Sequence, residues 1–322
     1  MKRLLRSTVF AVVLFFLLPL SAGAAELLIP VGAVIGLQLQ DDTVTVAAFE
    51  DPLGISARNA GLKIGDEILK IDETPIHCTD DVRSALRICD EDIHMTIRRS
   101  GKVHSIEIDP TQTAEGPRLG VYLRQGITGI GTVTFYDPET GRFGTLGHGV
   151  SSSKGNLLDM KTGAAYEASI ESVIKGKSGE PGQLKGSADA KTVFGTILRN
   201  TPQGVFGVTN QGWRGEAIPV AAYDEIQAGP ATIRSTVVND ITREYSVEIL
   251  KIYPSDRSDG RNFLIRVTDP DLLSATGGIV QGMSGSPIIQ NGKLVGAVTH
   301  VLVNSPDTGY GIYIENMLDA AG

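Results

Sequence analysis

Short stretches of alternating apolar and polar positions run through most of the chain, and their character changes near residue 110. "IGLQLQDDTVTVAAFE" reads as two short strands around Asp41-Asp42. "SARNAGLKIGDEILKIDETPI" reads as a short helix, a Gly-marked turn and an alternating strand. "TDDVRSALRICD" predicts a helix with Thr79 as N-cap and Val82, Leu86 and Cys89 along one face. "IHMTIRRSGKVHSIEID" predicts a hairpin turning at Ser100-Gly101. Beyond "PTQTAEGPRLG", which reads as a linker, strands and turns dominate: "GIGTVTFYDPETGRFGTLGHGV", "TVFGTIL", "AIPVAAY", "GPATIRSTVV", "YSVEILKIY" and "NFLIRVTD". Their length and β-branched content suit an antiparallel barrel or sandwich, and "YIENMLDAAG" closes the chain as a short helix.

Within the first region, "AGLKIGDEIL" from Ala60 to Leu69 resembles the central signature of PDZ domains, and the order of elements fits. The resemblance implies a small α+β PDZ domain over 31–110, in which a peptide adds as a strand and backbone N–H groups hold its carboxylate. On this sequence the carboxylate loop would be Val34, Ile35, Gly36 and Leu37. Leu37 and Leu39 would line the groove opposite Val82 and Leu86.

In the second region "VQGMSGSPIIQNGKLVGAVTH" places Ser284 between glycines. A serine nucleophile needs a base, a group that orients the base, and donors for the developing oxyanion. Flanking glycines leave the backbone uncrowded, so the N–H groups of Gly282 and Ser284 can serve one oxygen. The loop resembles the Gly-Asp-Ser-Gly-Gly-Pro serine loop of chymotrypsin-like proteases, with Met283 and Ser286 as departures. His148, framed by glycines at a strand end in "GTLGHGV", is the leading base. His77, His94 and His104 fall in the PDZ-like segment, and His300 in "GAVTHVLVN" reads as a packed or edge residue. Asp159, Asp189, Asp224, Asp240, Asp256, Asp259, Asp269 and Asp271 all lie between His148 and Ser284, and spacing leaves the choice among them open.

Composition narrows the class. The chain has 322 residues, 41% of them apolar, which is enough for about two packed domains rather than disorder. A net charge of −8 argues against a nucleic-acid partner, which usually meets a basic face. Lys2, Arg3 and Arg6 precede an apolar run from Thr8 to Leu20 and then Ala22-Gly23-Ala24, the pattern of an export signal or N-terminal anchor over 1–24. Two cysteines, Cys78 and Cys89, are too few for a disulfide-built scaffold.

Taken together, the export segment, the PDZ-like region, "FGTLGHGV" and "TGGIVQGMSGSPIIQNGKLVGAVTHVLVN" resemble the stage IV sporulation protein B peptidases of endospore-forming bacteria. The resemblance implies a mainly β chain, with the PDZ domain followed by a chymotrypsin-like double β-barrel serine peptidase over 111–322. It puts the triad on His148, Asp269 and Ser284, and implies no metal or organic cofactor. It also implies export to the space between the forespore membranes, self-processing, and cleavage of a membrane-bound regulatory protein that releases an intramembrane metalloprotease. A non-catalytic PDZ adaptor and a general envelope quality-control protease are the competing readings.

Overall fold

The computed structural model describes residues 26–322 apart from 90, 153, 154 and 258, so the export segment lies outside the described residues. Six strands form a first antiparallel ring: Val34–Phe49, Val121–Tyr136, Arg142–Thr145, Gly204–Val208, Gln183–Thr201 and Thr162–Ile174. The ring closes because Val34–Phe49 pairs with Thr162–Ile174 on one edge and with Val121–Tyr136 on the other. Ile35, Leu37, Leu39, Val133, Phe143 and Val205 fill its interior.

Six further strands close a second barrel: Gly229–Val238, Ile241–Ile252, Phe263–Val267, Ser305–Tyr313, Lys293–Leu302 and Pro287–Gln290. Phe263, Ile265, Ile233 and Val298 are fully buried there. Each such side chain contributes on the order of 1.5–3 kcal/mol of burial. The architecture is therefore mainly β with two barrels, as the strand pattern predicted, and the terminal helix forms over Ile314–Ala321.

The small α+β unit is joined differently from the expectation. Val34–Phe49 does not turn at Asp41-Asp42 but continues as one strand, because Val121–Tyr136 supplies a partner along both halves. Pairing runs from Val34↔Thr132 to Leu39↔Ile127 in the barrel, then from Val44↔Gln125 to Phe49↔Val121 in the unit. Gly126 makes the passage at φ +71, where a Cβ would stand 1.9 Å from the Leu39 carbonyl oxygen. The unit is thus set into a barrel hairpin, and a boundary between 110 and 111 does not separate the two. The expected linker makes a small hairpin, Thr111–Thr113 with Gly116–Arg118, and leads straight into the second long strand.

Inside the unit, strands Glu67–Ile71, Ile93–Arg99 and Lys102–Ile108 and helix Thr79–Arg87 bury Val44, Val46, Ile68, Val82, Leu86 and Met95. Asp66, buried at 1% exposure, accepts from the Lys63 N–H and receives the Arg99 guanidinium in a two-pronged ion pair. Cys78 rather than Thr79 is the N-cap of the helix, with the Asp81 carboxylate accepting from the His77 and Cys78 N–H groups. Cys78 and Cys89 are both free thiols.

Candidate active site at the barrel seam

The serine loop follows helix Pro270–Thr276 and leads into strand Pro287–Gln290. It is held across the seam by the first barrel. The Thr132 N–H donates to the Ser284 carbonyl at 3.1 Å, and the Thr132 hydroxyl donates to the Gly282 carbonyl at 2.7 Å. The Thr134 hydroxyl donates to the Gly285 carbonyl at 2.7 Å. Gly285 sits at φ +97, where a Cβ would stand 2.0 Å from the Thr132 carbonyl oxygen, so only glycine allows this approach. Met283, Gly285 and Ser286 donate to backbone carbonyls, whereas the N–H groups of Gly282 and Ser284 have no backbone acceptor among the described residues. Those two donors are free for an incoming oxygen.

His148 arrives from the first barrel. Leu146 and Gly147, at φ +70 and +67, turn the chain after strand Arg142–Thr145 and bring the imidazole to the seam. The ring Nδ1 bonds the Gly149 carbonyl at 3.0 Å, a contact that places the proton on Nδ1 and leaves Nε2 as an acceptor. Burial lowers the pKa of His148 below 6.5, with the Gly149 carbonyl opposing the shift. A neutral imidazole at pH 7 follows.

Ser284 and His148 line one cleft of about 500 Å³, whose apolar wall includes Leu37, Leu39, Ile127 and Ile130. The Ser284 hydroxyl donates to the Thr299 carbonyl at 2.7 Å. The sequence pattern did not single out Thr132, Thr134 or Thr299. Its available signal was "GTVTFY", where threonines alternate on the face that the strand buries, at 0% exposure for both Thr132 and Thr134.

Asp269 does not join them. It is the N-cap of helix Pro270–Thr276: Oδ1 accepts from the Asp271 and Leu272 N–H groups and Oδ2 from the Ser246 N–H. Among the described residues its carboxylate meets these three backbone donors and shows no contact with His148, so the expected Asp269–His148 pair is not formed in this arrangement. In its place the cleft holds His300, whose ring centroid lies 5.3 Å from that of His148 at an interplanar angle of 39°.

The residues expected to form one peptide groove do not lie together. Val34, Ile35, Gly36, Leu37 and Leu39 belong to the first barrel, and both edges of their strand are occupied; Gly36, for example, lies between Tyr166 and Ile130. No peptide can add there, and Leu37 and Leu39 line the cleft that holds Ser284 and His148 instead. Val82 and Leu86 do line a groove, whose opposite wall is Leu119-Gly120-Val121 and the start of the second long strand.

A serine and a histidine displayed at the seam of two antiparallel barrels define a serine peptidase arrangement. Residues 115–318 match the SpoIVB peptidase S55 family, and the chain belongs to that family. No curated protein matches the chain. Among solved structures, the chain is similar to the Rv3671c protease from M. tuberculosis in its active form. That likeness has 15% identity, covers 61% of this chain and 75% of that chain, and has a TM-score of 0.38. The inactive form of Rv3671c protease has 14% identity over 60% of this chain and 82% of that chain, with a TM-score of 0.35.

Proposed function

We propose that the chain is an exported serine endopeptidase of sporulation signalling, with Ser284 as nucleophile and His148 as base. The observation that carries this reading is the serine loop itself, with the Gly282 and Ser284 N–H groups unpaired among the described residues and a neutral imidazole in the same cleft. In the reaction the Ser284 hydroxyl leaves the Thr299 carbonyl and passes its proton to His148 Nε2 as its oxygen bonds the scissile carbonyl carbon. The Gly282 and Ser284 N–H groups then hold the oxyanion, each worth on the order of 3 kcal/mol. His148 returns the proton to the leaving amine, and water hydrolyses the acyl-enzyme by the same route.

Family membership supports a regulatory role, with a membrane-bound protein substrate and self-processing. The "AGLKIGDEIL" unit supports a PDZ-type peptide groove between helix Thr79–Arg87 and the edge of Val121–Leu123 that no strand pairs among the described residues. There Leu119-Gly120 would offer N–H groups to a carboxylate, and Arg118 and Arg87 line the same concavity.

The test incubates the mature chain beside Ser284→Ala and follows self-cleavage by mass and fluorophosphonate labelling by gel. Fragments and label in the parent alone are expected. The Ser284 hydroxyl on the Thr299 carbonyl is the observation that favours the second reading, a non-catalytic adaptor. A parent that takes no label, with or without added peptides, would establish that reading instead.

A further inference from the structure

We infer that the main chain of Gly182 and Leu184, at the neck of a first-barrel hairpin, is the positioning element of the oxyanion hole, holding the peptide that carries the Gly282 N–H. The inference rests on the assignment of Ser284 as nucleophile, with Gly282 and Ser284 as its oxyanion donors.

The hairpin joins Thr162–Ile174 to Gln183–Thr201, and its tip crosses to the second barrel. Lys177 and Glu180 close the tip with two reciprocal backbone bonds of 2.9 Å. The Gly176 N–H donates to the Thr276 carbonyl at 2.8 Å, at the end of helix Pro270–Thr276, and the Gly179 N–H donates to the Val303 carbonyl at 2.9 Å. At the neck the Gln281 N–H donates to the Gly182 carbonyl at 2.9 Å, and the Leu184 N–H donates to the Gln281 carbonyl at 2.8 Å. Gln281 is thus gripped by both its backbone groups, one residue before Gly282. The Leu184 side chain makes the same crossing: it is 1% exposed and joins Val280 and Met283 in the core of the second barrel. A Cβ on Gly282 would stand 3.0 Å from that of Leu184.

The consequence follows from peptide geometry. A trans peptide is planar, so its C=O and N–H point to opposite sides. The Gln281 carbonyl is turned toward Leu184, and the Gly282 N–H is therefore turned away from it, on the side of the cleft that Gly282 and Ser284 line. Gly282, at φ +100, has the backbone freedom that would otherwise let this peptide rotate. The second donor is fixed by a different means. The Met283 carbonyl accepts from the Ser286 N–H at 3.0 Å, within the serine loop's own turn, and this orients the Ser284 N–H. One oxyanion donor is set locally and the other by the opposite barrel. The hairpin adds no proton transfer; it keeps one donor aimed where negative charge develops.

The test reacts the full mature chain with diisopropyl fluorophosphate. It follows the labelling rate from pH 5 to 9 and the phosphorus NMR resonance of the adduct, with a thermal melt for each variant. Leu184→Pro removes the donor to Gln281 and should lower the rate at pH 7 by about 100-fold, the loss of one oxyanion donor. The acid limb, which reports His148, should stay in place. The phosphorus resonance should move toward that of the unfolded adduct, because the phosphoryl oxygen loses a hydrogen bond. Leu184→Ala keeps the N–H and should recover most of the rate lost in the proline variant, although it melts lower. Gly182→Ala puts a methyl group 2.4 Å from the Gly176 nitrogen and 2.5 Å from the Ile174 carbonyl oxygen, so the neck must open. Its rate should fall as in Leu184→Pro, and it carries the test if the proline variant does not fold. A packing role alone would make the rates follow the melting temperatures and leave the resonance in place. That result, or parental rates in the folded variants, would overturn the inference and leave the peptidase reading intact. A parent that takes no label would overturn the assignment of Ser284 and the inference with it.

Discussion

The two barrels solve the same closure problem with different chain economies. The second takes all six strands from one stretch, Gly229 to Tyr313. The first must bring Val34–Phe49 back against Val121–Tyr136 across an inserted unit of some seventy residues, so its closure depends on a distant pairing. Yet the cleft at the seam uses both: His148 from the first, Ser284 from the second. The contrast predicts that the second barrel is the part whose loss brings down the other. Phe263, at 0% exposure in the second barrel, tests this most severely. Phe263→Ala should cost about 3–5 kcal/mol. Trp213, the only tryptophan, packs on Phe143 and Phe194 in the first barrel, so its fluorescence reads that side alone. A Trp213 transition shifted to lower urea would show that the barrels unfold together; an unshifted one would break the comparison.

Gly285 probes the seam rather than a core. A methyl group there meets the Thr132 carbonyl and must also adopt a left-handed backbone. Gly285→Ala should cost about 3 kcal/mol and abolish fluorophosphonate labelling, because the serine loop must withdraw from Thr132. Retained labelling at the parental rate would mean that the cross-seam bonds do not set the geometry of Ser284.

The difference between the barrels also explains what the sequence could show. Strand alternation, the buried faces of Val82 and Leu86, and the glycine-framed Ser284 and His148 are local patterns, and they were legible. The passage of Val34–Phe49 from barrel to inserted unit was not. Asp41-Asp42 carries a strong turn signal, overridden by a partner strand about eighty residues away. The same distance hid the real company of Leu37 and Leu39. The neighbourhood of His300 was hidden for a related reason: a histidine in an apolar strand reads as packing until the opposite loop, with its two left-handed residues, is seen to deliver His148 beside it.

Asp269 gives the smallest effect and the sharpest separation between family resemblance and geometry. As a cap, Asp269→Ala removes acceptors for the Asp271, Leu272 and Ser246 N–H groups and should cost about 1 kcal/mol in urea unfolding. Helix Pro270–Thr276 ends only a few residues before the serine loop, so a modest change in labelling accompanies that loss. As a triad member, the same substitution should lower the labelling rate by about 10⁴. Asp269→Asn refines the distinction, since an amide oxygen still caps the helix but cannot stabilise an imidazolium. Near-parental labelling in Asp269→Asn is the outcome expected of a cap. A collapse in Asp269→Asn with stability unchanged would place the carboxylate at His148 in the working enzyme, and the cap would then be the resting arrangement of a chain that rearranges to act.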